Sequence, residues 1–298
     1  MLLVASIIAG VNTTALKLGL TAFPSVALMF YRFFLAVLIF IIPFLFQSRL
    51  NVSFRYGKEL ASIGVISFFA FLLVILGLEH TTVSSAQIIL AMTPLFTLVG
   101  SNIFLKEKIL TQQFVGFALG FAGIVIIALL PLLESKTFIL ENTVGNFLIV
   151  CSALLTSFYI IASKKLSPVV SPQLLTFSIL FINAILFFIA SFVGILFGMR
   201  WTVRPFILTD LGPVLYLAVF GSVIFFFLYQ QGINKTTASI ASLSSYIQVP
   251  VAMVLGSFVF HETITKLFIL GALLALIGSS LGSGVFPLAF RKAKVIKE

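Results

Sequence analysis

The chain is 298 residues long, 61% hydrophobic and only 9% charged, with a mean hydropathy of +1.25 and a formal net charge of +10. A soluble domain carries roughly 25% charged residues to cover its surface, so this composition excludes one. The apolar runs are long and continuous rather than about ten residues long and alternating, which excludes an outer-membrane barrel and predicts an all-α integral membrane protein.

In chain order, the expected spans are residues 2–18, 26–46, 60–78, 83–104 and 112–130, then 144–161, 174–197, 211–231, 238–260 and 267–286. These runs approach or exceed the roughly 20 apolar residues that cross a bilayer core. Met1-Leu-Leu-Val has no basic stretch before it, so it reads as the start of the first span and not as a removable signal. Pro24 separates the first two spans, and Lys106-Glu107-Lys108 makes a charged corner after the fourth. Pro131 is expected to end the fifth, because it lacks a donor and clashes with the preceding turn. Residues 132–142 read as the hinge between two units, 1–133 and 143–286, and residues 287–298 read as a basic tail.

Ten spans put both ends on one side. If that side is the cytoplasm, twelve of the Lys and Arg residues fall in inner loops and the tail, and five in outer connections. The excess agrees with the rule that short cytoplasmic loops are basic. Charge dispersed between spans argues against a nucleic-acid partner. The expected partners are membrane lipids and a small-molecule substrate. Composition leaves monomer and homodimer equally open. Cys151 is the sole cysteine, which permits no internal disulfide and no cysteine metal cluster.

The chain repeats itself. Gly77-Leu-Glu-His-Thr-Thr82 is echoed 155 positions later by Gly232-Ile-Asn-Lys-Thr-Thr237. The same offset relates Ser84 to Ser239, Ala86 to Ala241, Glu107 to Glu262, Gly116 to Gly271 and Gly123 to Gly278, while Pro94 and Pro250 miss it by one. A repeat of five spans, an odd number, inserts its two copies in opposite directions. Two inverted five-helix repeats are an architecture of secondary transporters, in which exchange of two similar halves gives alternating access.

Polar residues inside such spans are expected to face a cavity, a neighbouring helix or an interface. Ser84 and Gln87 follow helical spacing on the fourth span. Ser239, Ser242 and Tyr246 do so on the ninth, with Gln248 just beyond. Arg32 follows Tyr31 in the second span, and its guanidinium must reach an interface, a carboxylate, carbonyls or water. Asn12 and Lys17 are placed to join it. Glu79 and His80 end the third span; with Glu262 they are the candidates for proton coupling, because no acid stands in the middle of any span. Glu107 and Glu262 are expected to cap the helix that follows each, or to pair with nearby lysines. Gly116, Gly120 and Gly123, and Gly271, Ala275, Gly278 and Gly282, have the small-residue spacing that lets helix backbones approach closely. No phosphate-binding glycine loop, HExxH, GxSxG or cysteine metal spacing is present in the sequence, so no cofactor, metal or catalytic residue is assigned.

The ensemble resembles the EamA-type branch of the drug/metabolite transporter superfamily. The marks are Gly10-Val-Asn12 with Lys17, Pro24, Tyr31-Arg32-Phe33, the Gly77–Thr82 stretch with Ala86 and Pro94, and Leu105-Lys-Glu107 before Gly116. In the second half they are Thr236-Thr237-Ala238-Ser-Ile-Ala241, Pro250, and His261-Glu262 before Gly271 and Gly278. The resemblance implies ten helices in two repeats, cytoplasmic termini, location in a bacterial inner membrane, and transport of small metabolites, often export of amino acids. It also implies a central cavity shared by both halves. Matching Pro24 to Pro172 pairs Lys17 with Lys165 and Arg32 with Leu180, so the arginine has no counterpart. The expected function is a non-enzymatic secondary exporter of small polar metabolites, amino acids or related carboxylates. A carrier of phosphorylated or nucleotide-linked sugars, and a membrane scaffold or embedded enzyme, are the alternatives.

Overall fold

The computed structural model describes residues 1–45, 56–107, 111–135, 140–203, 207–260 and 266–282. The chain folds into helices: α1 Leu2–Gly19, α2 Ser25–Leu45, α3 Gly57–Glu79, α4 Val83–Leu90, α5 Thr93–Leu105, α6 Thr111–Ser135, α7 Leu140–Leu166 and α8 Pro172–Leu196. They continue as α9 Leu211–Ala218, a π turn Val219–Ile224, α10 Phe225–Lys235, α11 Ala238–Leu243, α12 Ser245–Phe260 and α13 Lys266–Gly282. Among the described residues, seven helical stretches are long and apolar enough to cross a membrane, and Thr93–Leu105 is a shorter apolar helix. In hydrocarbon a backbone amide has no water to bond, so the chain stays helical wherever it can.

The departures from the expected spans follow the same physics. The fourth span is interrupted between Leu90 and Thr93. Met92 bonds Ile89 three residues back instead of four, and Pro94, in the first turn of α5, brings no donor. The ninth span breaks at Ser244, where Ser244 bonds Ala241 and Ile247 bonds Ser244, while Pro250 lies inside an unbroken α12. Pro131 does not end α6, which runs on to Ser135. One missing donor costs less than unwinding a turn whose other amides would lose their partners. Of the expected hinge at 132–142, residues 132–135 continue α6, 140–142 begin α7, and 136–139 lie outside the described residues.

Helix α2 packs on α8, α3 on α7 and α8, and α1 on α9, α10 and α12. Helices α4 and α5 meet α7, α11 and α12, and α6 and α13 pair along their length. A Cβ placed on Gly278 would lie 2.6 Å from the Gly116 carbonyl oxygen and would also strike the Gly120 amide, so that pair depends on the absence of side chains. The main core is aromatic, with Phe33 stacked on Phe187 and Phe187 edge-on to Phe68 at centroid distances of 5.7 and 4.7 Å. Phe34, Leu38 and Ile42 on α2, and Phe188, Ile189 and Phe192 on α8, point outward as exposed apolar side chains suited to lipid.

Candidate functional site

A cavity of about 140 Å³ lies between α1, α2, α3, α4, α7, α10 and the α11–α12 segment. Its polar wall includes Asn12, Thr13, Arg32, Gln87, Ser242 and Gln248. Phe71, Tyr159, Phe225, Phe226 and Tyr229 supply its aromatic side. No Asp or Glu lines it among the described residues.

Arg32 is 3% exposed. Its Nε donates to Ser222 Oγ at 2.8 Å and its Nη2 to the Gly221 carbonyl at 2.7 Å. The guanidinium carbon sits 5.1 Å from the Phe33 ring centre and 5.8 Å from that of Phe71. Nη1 makes no hydrogen bond, and no carboxylate pairs with the guanidinium, among the described residues. The acceptors come from the π turn, in which Phe225 N bonds Phe220 O five residues back. Such a turn shifts the carbonyl register of a helix, and π turns occur often at functional sites. Gly221 is required here by proximity: a Cβ would fall 3.0 Å from Asn12 Cγ and would strike Oδ1. Asn12 Nδ2 makes a long bond to Gly221 O, 3.4 Å, and Asn12 Oδ1 is buried without a partner.

A second polar chain crosses the cavity. Thr13 Oγ1 donates to Gln87 Oε1 at 2.7 Å, and Gln87 Nε2 donates to Gln248 Oε1 at 3.1 Å, which ties α1, α4 and α12 together. Ser242 also lines the cavity, and its hydroxyl donates to the Ser239 carbonyl.

The remaining candidates lie elsewhere. Lys17 donates to the carbonyls of Leu78 and Thr81, at 2.6 and 2.9 Å, and borders a separate cleft with Glu79. Tyr31 packs among Phe23, Phe30 and Trp201 and is no part of the cavity wall. Tyr246 is fully buried against Gly120, whose missing side chain makes room for the ring. Ser239 reaches Ser101 and Glu107. Glu79 and His80 are exposed at the end of α3, away from the cavity. Ser84 lies on α4, and Glu262 falls outside the described residues. Among the described residues, Glu107 meets a helix remote in sequence rather than the one that follows it. Its carboxylate accepts from the amides of Ala238 and Ser239, at 2.9 and 3.4 Å, at the start of α11, where the unpaired amides of a helix N-terminus favour an anion.

Several residues escaped notice in the sequence. Lys164 makes a contact like that of Lys17: its Nζ donates to Ile233 O at 3.0 Å, while Lys165 is exposed. Asn183 donates to Ser67 Oγ at 2.7 Å. Gln230 donates to Tyr159 at 2.7 Å beside the cavity. Ser67 and Ser222 carried a signal, since they are 155 positions apart inside apolar runs. Tyr159 and Tyr229 carried none that separates a cavity wall from a core ring. Among the described residues no three His, Cys, Asp or Glu groups converge to hold a metal.

The bundle of apolar helices around a partly polar cavity is that of a multi-pass membrane transporter. The model of the EamA-like transporter family matches residues 1–129 and 143–283, and the chain belongs to that family. It is similar to the transporter YyaM of Bacillus subtilis, 25% identical over 96% of this chain and 93% of that one. It is similar to the inner membrane transporter YedA of Escherichia coli K12, 27% identical over 98% and 93%. The S-adenosylmethionine uptake transporter of Rickettsia prowazekii is 26% identical over 91% and 87%. A solved crystal structure matches the fold with a TM-score of 0.74 at 19% identity, covering 95% of this chain and 96% of that one.

Proposed function

We propose that the protein is a secondary carrier of small polar metabolites, amino acids or related carboxylates, that works by alternating access between two inverted five-helix repeats. The observation that carries the substrate reading is Arg32. It is a buried cation on a cavity wall, held by neutral acceptors, with one nitrogen unengaged among the described residues. A buried charge is costly unless compensated, and a carboxylate ligand compensates it.

The architecture rests on three supports. Exchanging the two halves turns the packing of α3 on α7 into that of α1 on α9 and α10, and the packing of α1 on α12 into that of α7 on α4 and α5. Lys17 and Lys164 meet carbonyls of Leu78 and Ile233, which are 155 positions apart. The spans that begin at Val83 and Ala238, again 155 apart, are both interrupted. The distribution of Lys and Arg supports cytoplasmic termini in an inner membrane. Phosphorylated and nucleotide-linked sugars fit less well, because Arg32 is the one cation on the described cavity wall while Lys17 and Lys164 are committed to helix ends.

The test is counterflow in proteoliposomes holding purified protein, with pooled labelled amino acids, organic anions and sugars, with and without a pH gradient. Gradient-free accumulation of a carboxylate, lost in Arg32→Gln at normal protein level, is the expected result. Carboxylate transport unchanged in Arg32→Gln overturns the reading. Opposite orientations in the vesicles, separated by selective inactivation of one, give the direction.

A further inference from the structure

We propose that the cavity is matched to an organic monoanion, one carboxylate on a neutral apolar body, and discriminates against zwitterions and dianions of the same shape. This rests on the carboxylate reading of Arg32 above and narrows it by the charge balance of the whole cavity, from amino acids and related carboxylates to carboxylates that carry no ammonium.

The described wall carries one formal charge, the Arg32 guanidinium, and no acidic side chain. Ser222 Oγ and Gly221 O are neutral, and so are the rings of Phe33 and Phe71 beside the guanidinium. These contacts satisfy hydrogen bonds and polarise favourably, yet the net charge of the site stays at +1. In a low-dielectric site the occupied state of lowest electrostatic cost is the neutral one. A monocarboxylate brings the sum to zero. A zwitterion leaves it at +1, and a dianion overshoots to −1.

The neutral oxygens of the wall, such as the Thr156 and Ser245 hydroxyls, can accept from an ammonium but do not cancel its charge. Gln87 Oε1 already accepts from Thr13 and Gln248 Oε1 from Gln87, which leaves one acceptor site on each. Asn12 Oδ1 has no partner, but it is buried at the place a Cβ of residue 221 would occupy, turned to the π turn. An ammonium a few ångströms from the bound carboxylate also feels the repulsion of Arg32. The rest of the wall favours an apolar body: Phe71, Tyr159, Phe226 and Tyr229 face the space. At about 140 Å³ the cavity is of the size that accepts a single benzene-like ring.

The probes are 3-phenylpropionate, phenylalanine, phenylsuccinate and phenethylamine, a monoanion, a zwitterion, a dianion and a cation built on one phenyl group. Binding to the purified full chain in detergent is measured by calorimetry near pH 7, with folding verified by circular dichroism and size-exclusion profile. The expected order is 3-phenylpropionate at least tenfold tighter than phenylalanine and phenylsuccinate, with phenethylamine weakest. The preference should collapse in Arg32→Gln and survive in weakened form in Arg32→Lys. Phenylalanine bound as tightly as 3-phenylpropionate in the wild type, with both lost in Arg32→Gln, overturns the monoanion inference and leaves the carboxylate reading standing. Affinities unaffected by Arg32→Gln, or no binding of any probe by folded protein, overturn both. The wild-type order decides the inference even where an Arg32 variant does not fold.

Discussion

Ser67 and Ser222 stand 155 positions apart and each accepts a hydrogen bond from a distant helix: Ser222 from Arg32 of α2, Ser67 from Asn183 of α8. The two bonds have unlike chemistry. One donor is a cation and the other an amide. The first places a charge on the cavity wall, where Arg32 and Ser67 both stand, and the second is neutral.

Removing the Ser222 hydroxyl should test how firmly Arg32 is positioned. A hydrogen bond to a charged group contributes about 1.5–3 kcal/mol. In Ser222→Ala the Gly221 contact remains, so the apparent KM for a carboxylate should rise roughly tenfold while protein yield stays normal. A change in yield without a change in KM would mark the bond as purely structural. Gly221→Ala should impair the same step by displacing Asn12.

The helix pair α6 and α13 should be intolerant of bulk. Gly278→Leu drives a side chain into the Gly116 carbonyl and the Gly120 backbone. Overpacking of this kind costs about 1–3 kcal/mol even where side chains can give way, and here the obstacle is backbone. The yield of monodisperse protein should fall sharply. Normal yield and thermal stability would show that the two helices part without penalty.

The lysine contacts predict an asymmetry between neighbours. Lys164→Met removes an ammonium from the carbonyl end of α10 and should lower thermal stability by about 1 kcal/mol, as should Lys17→Met at the end of α3. Lys165→Met should have little effect, because that side chain is exposed. Equal effects at 164 and 165 would contradict a stabilising role for the Lys164 contact.

Glu107 should act on a helix remote in sequence. In Glu107→Gln the anion at the start of α11 is lost, so the amides of Ala238 and Ser239 should exchange hydrogen faster, while those in α6 do not change. Faster exchange at the start of α6 instead would restore the local capping expected from the sequence.

Much of this molecule is legible in the order of its residues. Composition and run length dictate apolar helices, since hydrocarbon offers the backbone no other partner, and the family pattern of residues such as Tyr31-Arg32-Phe33 and Leu105-Lys-Glu107 identifies the class of transporter. Most span boundaries fell within a few residues of the observed helices. The exceptions arose at Pro94, Pro131 and Ser244, where the surviving amides decide between a break and a tolerated proline. The side on which a polar residue faces was less legible. Gln87 and Tyr246 both looked like cavity residues by spacing, yet Gln87 bonds Thr13 and Gln248 while the Tyr246 ring fills the hollow at Gly120.

Helical membrane character was therefore determined by sequence alone, because the cost of an unpaired amide in lipid acts locally and everywhere. Which acceptors Arg32 finds, which carbonyls Lys17 and Lys164 reach and which amides Glu107 meets were decided only by tertiary structure. Each of these contacts joins residues far apart in the chain, and local periodicity carries no information about the helix that lies opposite.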